Sequence, residues 1–133
     1  MSNSKLKTVF VLMALSVLAI SGCVKDTTIM ITNDKAVTAK VSFSKDLIPL
    51  FAANCAISGC HVAEHQAPDL EKAVAYKSIS NLKLFDTNTP ENSILYQRLT
   101  GKLVPAMPMG KTTNPSNINN EVLAWIKQGA LNN

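Results

Sequence analysis

The chain of 133 residues carries 13 Lys and Arg against 9 Asp and Glu, and charged side chains make up only 17% of it. Lys5 and Lys7 fall in the first 22 residues with no acid beside them, so the 111 residues from Cys23 onward are close to neutral, with 11 basic and 9 acidic side chains. No lysine or arginine cluster interleaved with aromatics occurs, which excludes nucleic acid as an expected partner, and the length suits one compact domain.

In chain order, Lys5 and Lys7 precede an uncharged apolar run from Thr8 to Ile20. A basic stretch followed by a short apolar one is the pattern of a secretory signal. The run is shorter than the roughly 20 residues an α-helix needs to cross a bilayer, which makes a transmembrane anchor the weaker reading. Ile20-Ser21-Gly22-Cys23 then resembles the lipobox of bacterial lipoproteins, in which small residues admit the signal peptidase and the cysteine sulfur receives diacylglycerol. That resemblance implies cleavage before Cys23, a lipid anchor on Cys23, and a chain held on the periplasmic side or at the outer membrane. Val24 is no retention signal in the familiar sorting rule and leans toward the outer membrane. The alternative, an ordinary signal followed by a stray cysteine, would leave an unpaired thiol in an oxidising compartment.

The expected organisation is a signal peptide over 1–22, a lipidated N-terminus and linker over 23–42, and a folded domain over 43–133. Threonine and small residues dominate from Val24 to Val41, with charges scattered singly. An edge strand over 28–33 is the alternative there. Ser44 is placed to cap a first helix carrying Leu47, Ile48, Phe51, Ala52 and Cys55 at three- and four-residue spacing. Pro49 lacks a backbone N–H and suits only a first turn, so that helix is expected to start effectively at Pro49.

A second, weakly periodic helix is expected after Asp69 as cap, with Leu70, Val74 and Tyr76. A third follows Thr89 as cap and Pro90 at the first helical position, with Ile94, Leu95 and Leu99 on its apolar face and Gly101 as its stop. The last follows Pro115-Ser116, buries Ile118, Val122, Leu123, Trp125 and Ile126, and ends at Gly129. The fold class is therefore all-α, a few short helices joined by long loops. Helices this short bury little apolar surface by themselves, so a large, flat, apolar ligand is expected to fill the middle.

The chemistry concentrates in Cys55-Ala56-Ile57-Ser58-Gly59-Cys60-His61. Two thiols followed directly by a histidine read as a haem c attachment sequence: two thioether bonds and an iron ligand beside the second thiol. The usual gap between the cysteines is two residues, and here it is four. At roughly 100° per residue a five-residue step leaves the helix face that a three-residue step returns to. One uninterrupted helix cannot therefore present both thiols, and Ser58-Gly59 is expected to loop out, glycine supplying a backbone conformation closed to other residues.

Two other readings compete at the same place. Cys55 and Cys60 could form a disulfide in an exported protein. His61-Val62-Ala63-Glu64-His65 matches the H-x-x-E-H pattern of inverzincin metalloproteases, which would give two zinc ligands and a general base on one rigid helix; Gly59 and Pro68 leave that helix little room. A sixth ligand to haem iron would come from Ala106-Met107-Pro108-Met109-Gly110. Pro108 biases Met107 toward an extended backbone, and in an extended segment Met109 points to the same side. Geometry leaves Met107 and Met109 both open, and either could instead fill core.

From Phe43 to the C-terminus the chain resembles the small exported cytochrome c domains of environmental bacteria, found as lipoproteins or fused to other modules. The resemblance rests on "SKDLIPLFAANC", Cys60-His61, "PENSILYQRLTG", a methionine-proline loop and "VLAWIKQGA". It implies a cytochrome c-like fold around one covalent haem c, with His61 proximal and Met107 distal, Met109 standing where that family often has a second proline. It further implies that the first and last helices cross, so that Phe51 and Trp125 border the haem. Arg98 is a candidate hydrogen-bond donor to a propionate, with a solvated surface arginine as the alternative.

Histidine plus methionine ligation leaves no open coordination site and raises the reduction potential. The expected function is one-electron transfer between redox protein partners, without catalysis. The alternative is a haem enzyme or sensor whose methionine ligand is labile or missing.

Overall fold

The structure, a computed structural model, describes residues 36–111, 114 and 117–133. The signal, the lipobox and the alternative edge strand, and Cys23 with them, lie outside the described residues, as do Pro115 and Ser116. Among the described residues there are four α-helices and no strand: α1 (Ile48–Asn54), α2 (Ala75–Asn81), α3 (Ile94–Leu99) and α4 (Ile118–Lys127). A π turn, Phe43–Leu47, leads into α1, and a 3-10 turn, Pro90–Asn92, precedes α3. The expected all-α class holds.

The first helical segment starts earlier than Pro49, and its cap is Ser42 instead of Ser44. Ser42 Oγ accepts the Lys45 N–H at 3.3 Å, and Asp46 Oδ2 accepts the Ser42 N–H at 2.7 Å. These reciprocal bonds resemble a capping box stretched by one residue to suit the wider turn. Ser44 already lies inside the turn, past the capping position, and its N–H donates to the Asn133 carbonyl 2.8 Å away. Pro49 sits in the first turn of α1. It has no N–H to close on the carbonyls of Ser44 or Lys45, which leaves the preceding turn free to widen.

The second helix begins six residues after Asp69. The Asp69 side chain accepts the Glu71 N–H at 2.9 Å, and the Asp69 N–H goes to Ser78 Oγ at 2.9 Å. Such a local side-chain bond competes with helix formation. α2 then buries Ala75 and Ile79, while Val74 remains exposed. Pro90 does open a helical turn, but the chain becomes extended at Ser93, whose Oγ accepts the Asp86 N–H at 2.9 Å. In α3 the buried residues are Tyr96 and Leu99; Ile94 faces solvent.

α4 follows expectation: Ile118, Val122, Trp125 and Ile126 are buried and Leu123 is half-buried. It ends at Gly129, whose φ of 97° is left-handed, with the Ala130 N–H closing on the Trp125 carbonyl at 2.9 Å.

α4 packs against the π turn, the 3-10 turn and α3. The junction of the first and last helical segments runs through Phe43, whose ring lies 5.2 Å from Trp125, 5.3 Å from Tyr76 and 6.1 Å from Phe51 between centroids. Phe85 completes the cluster, 5.1 Å from Trp125 and edge-on to it. Phe51 and Trp125 are both 1% exposed. The expectation of a middle left for a ligand to fill is thus corrected: aromatic rings from separate parts of the chain fill it, edge-on in the Phe43–Phe51, Phe43–Tyr76 and Phe85–Trp125 pairs and tilted between Phe43 and Trp125.

The packed body also reaches upstream of Phe43. Val41 is buried, its N–H donates to Gln128 Oε1 at 2.8 Å, and Gln128 Nε2 donates to the Ala39 carbonyl at 3.0 Å.

Candidate functional site

α1 runs straight into the cysteine motif. The N–H groups of Cys55 and Ala56 both donate to the Phe51 carbonyl at 2.8 Å, using both of its lone pairs. Beyond that the chain leaves the helix. The Cys60 N–H bonds the Ile57 carbonyl at 2.9 Å, and the His61 N–H returns to the Cys55 carbonyl at 3.1 Å. The four-residue gap is taken up by a turn over 57–60, as the spacing demands. Gly59 has a φ of 78°, and a Cβ built there would meet no atom within 4 Å. Glycine is needed for its backbone conformation and not for lack of room.

The backbone of His61 is fixed at both ends, since its carbonyl accepts the Leu70 N–H at 2.9 Å. Its ring is fixed as well. Nδ1 lies 2.9 Å from the Pro68 carbonyl and 3.2 Å from the Gln66 carbonyl. Carbonyl oxygens only accept, so Nδ1 carries the proton and the Nε2 lone pair is left for a metal. A carbonyl on the outer nitrogen is the usual support of a ligating histidine, fixing its tautomer and increasing its basicity.

Cys55 and Cys60 are separate thiols, both half-buried. Burial, and second the nearby Cys60, push the Cys55 thiol up from its ordinary 9.0 to about 11. The neutral thiol is therefore favoured by the fold. Any stability it brings is fully present below pH 9 and is lost as the pH rises toward about 11. Iodoacetamide trapping of the haem-free protein should accordingly show Cys55 alkylation rising only toward pH 11, with urea returning the onset to the ordinary range.

The zinc reading is overturned. The segment from His61 to His65 is not helical, and Glu64 has a left-handed φ of 64°. His65 is exposed, and no group of three or more His, Cys, Asp or Glu among the described residues is arranged to hold a metal ion.

The methionine loop hangs from the end of α3. A helix leaves its last carbonyls without partners. Here the Leu103 N–H takes the Gln97 carbonyl at 3.1 Å, and the Met107 N–H takes the Arg98 carbonyl at 2.9 Å. Met107 is half-buried, whereas Met109 is 69% exposed. Arg98 Nη1 donates to the Pro105 carbonyl at 3.0 Å. Sequence reasoning missed the acceptors at Gln66, Pro68 and Pro105, because a backbone carbonyl leaves no residue-specific signal. Phe51 and Trp125 belong to the aromatic core, Phe51 touching the motif through its carbonyl.

The attachment motif and the methionine loop share one property. No residue in 56–68 or 101–111 is fully buried, although fully buried core residues occur both before and after each stretch. Comparisons with protein-family models, characterised proteins and solved structures found no match to this chain.

Proposed function

We propose that this chain is an exported, lipid-anchored monohaem c-type cytochrome that carries single electrons between redox proteins. The observation that carries the reading is His61, with Nδ1 held by two backbone carbonyls and Nε2 without a hydrogen-bond partner among the described residues, directly after two half-buried thiols that are not joined to each other. The donor set fits haem c. Cys55 and Cys60 would attach it, His61 would ligate iron through Nε2, and Met107 would supply a second iron ligand. Met109 suits the role less, because it is the more exposed of the two thioethers. The unburied stretches 56–68 and 101–111 give a large apolar ring surface to cover, outside the aromatic core.

Both thiols are free for that attachment, in which each would give its sulfur and its hydrogen to one vinyl group, so that no oxidant would be needed. When bound, haem c supplies a one-electron ferric–ferrous couple. The Pro68 and Gln66 carbonyls hold the His61 proton on Nδ1 and strengthen Nε2 as a donor. Met107 would supply a thioether ligand, which raises the potential of such a couple and would favour electron transfer over catalysis. The anchor is Cys23, and no helix among the described residues is long and apolar enough to cross a membrane. The donor and acceptor are redox proteins; nucleic acid is not a partner.

The purified ferric protein should show the near-infrared sulfur-to-iron charge-transfer band. Met107→Ala should abolish it and Met109→Ala should leave it. Absence of the band in the unaltered protein, with a high-spin spectrum, would favour the haem enzyme or sensor instead.

A further inference from the structure

We infer that Arg98 is a positioning residue that locks the loop presenting Met107, and so sets how readily an outside ligand displaces that thioether. The inference rests on the proposed methionine ligation. Three bonds pin the loop to the end of α3: Leu103 N–H to Gln97 carbonyl at 3.1 Å, Met107 N–H to Arg98 carbonyl at 2.9 Å, and Arg98 Nη1 to Pro105 carbonyl at 3.0 Å. The first two are backbone bonds, made by Leu103 and by Met107 itself. Only the third comes from a side chain, and it grips the residue two before Met107.

Arg98 suits this work physically. It is half-buried, and no carboxylate among the described residues pairs with it. Its planar, always-charged guanidinium therefore makes a charge-assisted bond to a carbonyl, stronger than a neutral one. Among the described residues no other side chain is hydrogen-bonded to the loop from 101 to 107, where Val104 is 76% exposed, and Met109 beyond it is 69% exposed. No residue of 101–111 is buried deeply enough to anchor the loop by packing. Hydrogen bonds to the end of α3 must then decide its position, and Arg98 supplies two of the three.

Displacement of Met107 requires the loop to open, and an outside ligand binds in proportion to the open fraction. Loss of a hydrogen bond made by a charged group raises that fraction roughly tenfold. Imidazole is the probe, titrated into the ferric holoprotein and followed by loss of the near-infrared band. Arg98→Ala should bind imidazole roughly tenfold more tightly than the unaltered protein, and Arg98→Lys, which keeps the charge but not the planar fork, should fall between them. Haem content and the urea midpoint of both variants are measured alongside. Should the midpoint of Arg98→Ala fall, the test passes to Arg98→Lys: an affinity above that of the unaltered protein supports the role, and an unchanged affinity overturns it.

Equal imidazole affinity in all three proteins, with the band present, would overturn the role of Arg98 and leave the proposed function standing. Absence of the band in the unaltered protein would overturn the methionine assignment and this inference together.

Discussion

Replacing Cys55 and Cys60 together by alanine is expected to abolish haem retention through denaturation and acidic organic extraction, while each single replacement leaves one thioether and partial retention. Cys55 precedes the turn over 57–60 and Cys60 closes it, on a segment held by the Phe51 carbonyl at one end and the Leu70 N–H at the other. They would grip the ring from a rigid bracket. The double variant should still fold. Cys55 packs only partly buried against the core that Phe43, Phe51, Tyr76, Phe85 and Trp125 build, and alanine there keeps all of that side chain but its sulfur. Helical circular dichroism should therefore persist in the haem-free double variant. Full retention of haem by that variant would exclude thioether attachment.

Trp125→Ala is expected to cost about 3–5 kcal/mol of stability, the range for removing a large aromatic from a packed core. Trp125 is 1% exposed and contacts Phe43, Tyr76 and Phe85 at once. Its Nε1 also donates to the Leu131 carbonyl at 2.8 Å, which ties the chain beyond α4 back onto the helix. Trp125→Phe keeps an aromatic ring but loses that bond, and should cost about 1–3 kcal/mol. Urea unfolding of the haem-free protein separates the two, with the midpoint falling further for alanine. A loss below about 1 kcal/mol for Trp125→Ala would mean that this cluster is not the organising core.

The features legible in the sequence are those set by near neighbours. α4 announces itself through Ile118, Val122, Trp125 and Ile126 at helical spacing and through Gly129 after them. The turn at Ser58-Gly59 follows from the cysteine spacing alone. What stays hidden depends on distant partners. Ser44 looks like a cap because nothing nearby shows that the turn opens earlier, at Ser42, with the distant Asn133 taking the N–H groups of Phe43 and Ser44. Asp69 looks like another, although its side chain turns to Glu71 and delays α2. The core is underestimated because Phe43, Tyr76 and Phe85 are far from Trp125 in sequence and meet only in the fold. At the site, the thiols and His61 are readable as residue types, but the carbonyls of Gln66 and Pro68 that orient His61 emerge only once the chain turns back on itself.

Covalent haem attachment is tested most directly by the mass of the denatured protein after expression with cytochrome-maturation machinery. The expected polypeptide is heavier by one haem, the addition surviving denaturation and mapping to the peptide that contains Cys55 and Cys60. An unmodified polypeptide mass under those conditions would contradict it.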